Sequence, residues 1–130
     1  MTRFAGRHAD IIGFDPMSAP EGGKSQREFG GPAFEEKLRI LDDASAARAD
    51  GGPERSILLF DVARRAEDVP EDSWADPQQA KHSPYALFGD TSAMVETLLD
   101  RRERWGLTYY VFSDQDIELL RPVVATLAAT

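Results

Sequence analysis

The sequence predicts an α/β fold in which a parallel β-sheet is covered by helices. Two observations lead to this fold class. Segments with strand character alternate along the chain with segments whose apolar residues recur at helical spacing. The strand segments are also apolar on both faces, which is typical of strands buried in a parallel sheet. We therefore expect right-handed strand–helix–strand units, with three parallel strands in sequential order and helices on one side.

The amino-terminal part of the chain is predicted to contain the first of these strands. Residues 1–8 are interpreted as the end of a helix, and residues 9–14 as a short buried strand. Residues 15–32 are rich in glycine and proline, and they are predicted to form a loop. Because this loop has no apolar periodicity, we expect it to be the least ordered internal segment.

The second unit consists of a helix followed by a strand. Pro32 suits the first turn of a helix, and Gly51-Gly52 is expected to end it. The next strand is predicted at residues 56–63, which are apolar on both faces up to Asp61. The buried side of the helix is predicted from one apolar stripe, formed by Phe34, Leu38, Leu41 and Ala44.

The third unit completes the alternation. Residues 84–89 are extended, and Asp90 or Thr91 is expected to cap a helix that runs to about Trp105. The third strand is predicted at residues 107–112, where six consecutive residues have high strand propensity.

Two further segments are predicted to be helical. Residues 78–81 are expected to form one short helix. The tail carries apolar residues at helical spacing from Ile117 to Leu127, and Pro122 is expected to divide it into a turn and a terminal helix.

The composition excludes several classes of partner and site. The formal net charge is -8, so an acidic surface opposes binding to nucleic acid and to anionic membranes. There is no cysteine, which rules out disulfides and thiolate metal sites. No apolar run approaches the roughly 20 residues of a membrane span, and the first residues lack the apolar core of a signal peptide. We therefore expect a cytoplasmic protein.

Four segments resemble a known family in the same order along the chain. Residues 3–14 resemble the segment that enters the sixth barrel strand of luciferase-like monooxygenases, in the subgroup of F-420-dependent oxidoreductases. Residues 83–90 resemble the lead-in to that family's last long helix. Residues 101–112 are similar to its final helix–strand junction, and residues 122–128 to its terminal helix. Residues 64–82 depart from the family's pattern.

The resemblance implies a partial (β/α)8 TIM barrel of luciferase-like type. Residues 1–130 would be the C-terminal part of the barrel domain and would contain its last three strand–helix units. A complete barrel needs about 250 residues and at least ~200, so three units cannot close one. The family's Gly-rich turn, which holds the cofactor phosphate, would precede Met1.

The resemblance also implies an activity and a kind of partner. The full enzyme would be an oxidoreductase that uses FMN or F-420, and the cofactor would supply the chemistry. The chain alone is expected neither to bind either cofactor tightly nor to turn over. Its partner is expected to be a second copy or an N-terminal barrel fragment, as in a split enzyme. The alternative is a non-catalytic α/β interaction module that self-associates.

The candidate cofactor contacts are Gly13, Phe14 and Asp15, because ligands of such barrels sit at the C-terminal ends of the strands. Gly13 allows close backbone approach, and Phe14 can pack against a ring. The alternative is a plain strand end with Phe14 in the core. Asp61 is either a polar group at the barrel mouth or a structural residue that caps a neighbouring helix or pairs with a nearby arginine such as Arg64 or Arg65. No catalytic residue is assigned.

Other polar residues favour structural interpretations. The only histidines, His8 and His82, lie far apart in sequence. A metal ion would also need carboxylate ligands, and no spacing of carboxylates near either histidine predicts them. Residues 22–25 lack the first glycine of a phosphate loop and a preceding strand. The only basic cluster, at 101–104, is interpreted as a solvated helix face.

The strands themselves predict an exposed apolar surface. Tyr109 and Tyr110 must point to opposite faces of their strand, one toward the barrel interior and one toward the helices. Without barrel closure, the uncovered face is expected to expose apolar strand residues, namely Leu58, Phe60, Tyr110 and Phe112. Such a surface favours association.

Overall fold

The computed structural model describes residues 1–16, 26–69 and 80–129. Two single-turn 3₁₀ helices lie at Ala66–Asp68 and Asp114–Asp116. The other elements follow one another as α1 (Thr2–His8), β1 (Ile11–Phe14), α2 (Gln26–Phe29), α3 (Gly31–Ser45), β2 (Glu54–Leu59), β3 (Asp61–Ala63), β4 (Ala86–Phe88), α4 (Thr91–Trp105), β5 (Leu107–Phe112) and α5 (Ile117–Ala128).

Three of the strands form a parallel sheet in the order β1-β2-β5. Phe14 of β1 lies opposite Ile57 of β2, and Ile57 lies opposite Tyr110 of β5. These are the three predicted strands in the predicted sequential order. The α/β class with a parallel sheet is therefore confirmed.

The segment predicted as one strand at 56–63 is two strands with different partners. β2 ends at Leu59, and β3 pairs in parallel with β4 in a separate two-stranded sheet. At the junction, the amide of Phe60 donates to the carbonyl of Tyr85 at 2.7 Å. The prediction of a single strand was wrong because a continuous apolar run does not record a change of hydrogen-bonding partner.

One face of the three-stranded sheet is covered by helices. Phe14 and Ile57 are buried there, and the ring of Phe14 meets the ring of Phe34 in α3 edge-on at 5.0 Å. Leu59 is buried among residues of α4 and α5, including Met94 and Leu120. Placing the helices on one side of the sheet was therefore correct, and this layer contains the hydrophobic core.

The opposite face of the sheet is largely uncovered. We call it the bare face, and it consists of Ile11, Gly13, Glu54, Ser56, Leu58, Tyr109 and Val111. The exposed fractions of Ile11, Tyr109 and Val111 are 54%, 49% and 44%. Three large apolar side chains exposed on one sheet face are a feature of surfaces that associate.

The predicted membership of the uncovered face was partly wrong. Tyr110 and Phe112 pack against the core on the covered side, and Phe60 packs against the aromatic cluster near Tyr85. Only Leu58 lies on the bare face. The register between β2 and β5 is irregular between Arg55 and Ser56, and this irregularity decides which tyrosine points outward.

The loop predicted at 15–32 contains a helix at its C-terminal end. Phe29 of α2 is 1% exposed, and its carbonyl accepts a hydrogen bond from the hydroxyl of Ser83 at 2.5 Å. A wholly irregular loop was thus a wrong prediction for residues 26–29. Residues 17–25 lie outside the described residues, as does most of the short helix predicted at 78–81.

The predicted ends of α4 are confirmed, whereas the break in the tail is not. The side chain of Asp90 caps α4 by accepting from the amide of Ala93 at 2.8 Å, and Gly106 ends the helix with a positive φ of 68°. α5 runs through Pro122 without interruption. Burial of Leu120 and Val123 against the core compensates for the backbone hydrogen bond that proline cannot donate.

Candidate functional site

The carboxyl end of the parallel sheet is the candidate site, because ligands of α/β sheets bind beyond the ends of the strands. The three predicted contacts do not share one surface there. Gly13 lies on the bare face, and no atom stands within 4 Å of the position that a Cβ would occupy. Phe14 points into the core, so the structural alternative is correct for this residue. Asp15 is exposed.

Tyr85 is the residue at this end that the sequence did not predict. It is 0% exposed, and its ring stacks on Phe29 at 5.6 Å and meets Phe60 at 6.3 Å. Its hydroxyl has no hydrogen-bond partner among the described residues. Burial raises the pKa of this hydroxyl well above its ordinary value, and the carboxylates of Glu28 and Asp15 raise it further. Tyr85 is therefore a neutral buried donor.

The segment that carries Tyr85 is held by the guanidinium of Arg101. Arg101 donates to the carbonyls of Ser83, Pro84 and Ala86 at 3.1, 3.1 and 2.7 Å. The side chain lies in the core, and burial lowers its pKa. Three hydrogen bonds to main-chain carbonyls fix the entry into β4 and thereby the position of Tyr85.

Treating the whole basic cluster as a solvated face was wrong for Arg101. Arg102 and Arg104 are exposed, but Arg101 is 7% exposed. The burial of Arg101 could have been predicted from its position, since it follows Leu98 by three positions and precedes Trp105 by four. That spacing places it on the buried stripe of α4. Because arginine is charged, this position was interpreted as solvent-exposed.

A second group of side chains at this end is acidic. An open cavity of about 270 Å³ is lined by Asp61, Asp68 and Asp116 together with Phe60, Val62, Val69 and Gln115. Partial burial raises the pKa of Asp116, and the negative charges of Asp61 and Asp114 raise it further. Arg65 pairs with Asp68 at 3.0 Å. The potential in this cavity is thus negative.

The geometry does not form a metal site within the described residues. No group of three or more histidine, aspartate or glutamate side chains there is arranged to hold an ion. His8 contacts the ring of Phe4 at 4.8 Å, and His82 is exposed. None of the described helices has both the length and the apolar content needed to cross a membrane.

The described residues at the carboxyl end of the main sheet do not fit a complete FMN or F-420 site. Both cofactors carry a phosphate, which binds to cations, helix N-termini or rows of main-chain amides. Asp15, Asp61, Asp114 and Asp116, which follow the strands of the main sheet, carry carboxylates and repel an anion. The open space at Gly13 would admit a flat ring, but nothing in this group would hold its phosphate.

Comparison with known proteins adds no further assignment. No family description, no curated protein and no solved structure matches this chain.

Proposed function

We propose that this chain is a partial luciferase-like barrel, and that it functions when a separate N-terminal fragment supplies the missing strands. The assembled protein would be an FMN- or F-420-dependent oxidoreductase. The chain would contribute the last three strand–helix units and no phosphate site. The family assignment rests on the resemblance of residues 3–14, 83–90, 101–112 and 122–128.

The observation that carries this proposal is the difference between the two faces of the sheet. In a (β/α)8 barrel, helices cover the outer face of the strands and side chains from all eight strands fill the interior. Three adjacent strands removed from such a barrel would have one helix-covered face and one bare apolar face. The bare face defined above, with Ile11, Tyr109 and Val111 exposed, supports that interpretation.

Two further features support a site shared between the chain and the fragment. They are the open space at Gly13 and the acidic carboxyl end of the sheet. A ring could approach the main chain at Gly13 from the bare side. The phosphate would have to be held elsewhere, because the described charged side chains that directly follow the three strands of the main sheet are carboxylates. In the proposed assembly, the N-terminal fragment would hold the phosphate.

The test is complementation with a defined fragment. The chain would be co-expressed with the first five strand–helix units of an F-420-dependent luciferase-like oxidoreductase. Association would be measured by size-exclusion chromatography, and cofactor binding by fluorescence titration with FMN and with F-420. We expect a one-to-one complex that binds a cofactor, whereas the chain alone should bind neither.

Two variants make the test specific to the bare face. Val111→Asp places a charge on that face and should abolish the complex, whereas Ile117→Asp, on the first turn of α5, should not. Both side chains are 44% exposed, so they are matched. A monomeric chain that binds FMN or F-420 at micromolar concentration or tighter by itself would refute the proposal, as would the absence of any complex.

A second candidate is a non-catalytic interaction module that self-associates. It is favoured by the outer strand β5, which carries no charged residue. Self-association without cofactor binding, together with failure of complementation, would distinguish this candidate from the first.

A further inference from the structure

We propose that the outer edge of β5 binds a second copy of this chain, with the two β5 strands antiparallel and the two sheets joined into one of six strands. This inference specifies the self-association of the second candidate function. It does not rest on the barrel proposal, in which the same edge would pair with the first strand of the fragment. Within residues 1–16, 26–69 and 80–129, the sheet order is β1-β2-β5, so no described strand lies beside that edge.

From Tyr109 to Phe112, beyond the irregularity at its start, the edge of β5 lacks the features that protect other sheet edges. Soluble proteins block edge strands with charges, proline, bulges or short length. β5 has six residues from Leu107 to Phe112, with no charge, proline or glycine among them. β1, at the other end of the sheet, has four residues including Gly13 and is flanked by Asp10 and Asp15. Association is therefore expected at β5 and not at β1.

Charge complementarity identifies the occupant as a second copy. Arg102 lies at the amino end of β5, where it lines a cavity together with Leu107 and Thr108. Asp114 and Asp116 follow the carboxyl end, roughly 20 Å away at about 3.3 Å per residue. Antiparallel pairing places Arg102 of each copy beside these carboxylates of the other. Parallel pairing would bring like charges together.

The alternation of side chains limits the register. A two-fold axis perpendicular to the sheet leaves the covered faces of both copies on the same side. Two residues that lie opposite each other across the two β5 strands must therefore belong to the same face. The irregularity at the start of β5 puts Leu107 and Val111 on different faces, which disfavours an axis at Tyr109. An axis at Tyr110 places Tyr109 of each copy opposite Val111 of the other. Aromatic and β-branched residues form stabilising cross-strand pairs.

The apolar groove beside this edge fits the same arrangement. It has a volume of about 330 Å³ and lies between β5, α4 and α5, with Leu98, Tyr110, Phe112 and Leu127 among its lining residues. Val124 at its margin is 52% exposed. With the axis at Tyr110, a second Tyr110 lies at the mouth of the groove. Dimerisation would thus bury apolar surface as well as pair the strands.

The register can be tested with cysteines, because the native chain has none. Tyr109→Cys and Val111→Cys proteins would be mixed, allowed to exchange and oxidised gently. Both positions are exposed, so both variants should fold. We expect a disulfide between the two different chains, since directly opposed Cβ atoms lie about 4.5–5.5 Å apart. Each variant oxidised alone should cross-link far less, because its cysteines would be diagonal.

A mixture of Ile11→Cys with Val111→Cys is the control, since Ile11 belongs to the other edge strand. Equal cross-linking in this control would overturn the proposal. Sedimentation of the native chain at tens of micromolar should show a dimer in the absence of FMN and F-420, and a monomer would equally overturn it. Because no cofactor or fragment is added, failure here leaves the complementation result unaffected.

Charge reversal tests the identity of the occupant. Arg102→Glu and Asp114→Arg should each weaken the dimer about tenfold, because every dimer contains two copies of each contact. The double variant should restore the affinity. Arg7→Glu, an equal charge change at an exposed position of α1, should leave the dimer unchanged. An affinity that is insensitive to both single reversals would exclude the antiparallel arrangement.

Discussion

The two faces of the same three strands differ in how far their apolar side chains are covered. On one face, Ile57 is fully buried beneath α3 and the aromatic residues that pack on it. On the other, Ile11 of the neighbouring strand is 54% exposed. Both residues have the same side chain and belong to the same sheet. The difference indicates that apolar strand residues stabilise the chain most where helices cover them.

Truncation of a matched pair of isoleucines should give the largest contrast. Ile57→Ala removes a fully buried side chain and should lower the free energy of unfolding by about 4 kcal/mol, through lost transfer energy and a cavity. Ile11→Ala, on the bare face, should cost less than about 1 kcal/mol. Urea unfolding of both variants measures this. Equal losses would mean that the bare face is covered in solution.

The buried arginine on the covered side should have the next largest effect. Arg101→Met leaves the carbonyls of Ser83, Pro84 and Ala86 without their donor and should destabilise the chain by about 3 kcal/mol. Arg102→Met, its exposed neighbour, should change stability by no more than about 0.5 kcal/mol. Near-ultraviolet circular dichroism should also change only for Arg101→Met, because Tyr85 loses its fixed position. Similar thermal midpoints for the two variants would contradict this role.

Substituting two glycines by alanine compares the packed side of the molecule with the bare face. Each substitution adds one methyl group. A Cβ on Gly6, in α1, would lie 2.8 Å from the Cβ of Ala44, so Gly6→Ala should destabilise the chain by about 2 kcal/mol. Gly13 has open space on the bare face and no positive φ. Gly13→Ala should therefore be neutral or stabilising by up to about 0.5 kcal/mol. Differential scanning calorimetry of both variants decides, and destabilisation by Gly13→Ala would show that the space is filled.

The smallest expected effect concerns Asp116 at the acidic end. Its pKa in the folded state is raised above the ordinary value of 3.8 by burial, Asp61 and Asp114. The folded chain therefore binds this proton more tightly, and stability falls as the pH rises from about 3.8 through the raised value. Asp116→Asn should stabilise the chain at pH 7 by about 0.5 kcal/mol, a small value because the group is partly solvated. At pH 3 the gain should vanish, and a gain that persists there would refute this cause.

Local sequence patterns predicted those helices and strands whose bounds are set by residues within a few positions of each other. The strands at residues 11–14 and 107–112, the stripe of α3 and both ends of α4 follow from periodicity and from capping at Asp90 and Gly106. Gly106 adopts a positive φ that glycine tolerates without strain, so its position could be recognised without the fold. The parallel order of the strands also followed, because strands separated by helices cannot pair as hairpins.

The contacts that define the candidate site depend on residues far apart in sequence. Arg101 was assigned to solvent because its charge outweighed its position on the apolar stripe of α4. The carbonyls that stabilise it come from residues 83–86. Tyr85 acquires its raised pKa only because Phe29, Phe60 and Glu28 converge on it from α2 and the end of β2. No sequence pattern records such convergence, since it arises when the chain folds.

The sequence by itself determined that this chain forms a parallel α/β sheet, because periodicity and turn residues act within a few positions. Only the tertiary structure decided which face of that sheet is covered. Tyr109 and Tyr110 are adjacent and chemically identical, yet one register irregularity beside Arg55 sends Tyr109 to the bare face and Tyr110 to the core. The physical reason is that strand side chains alternate, so a shift of one position exchanges the two faces.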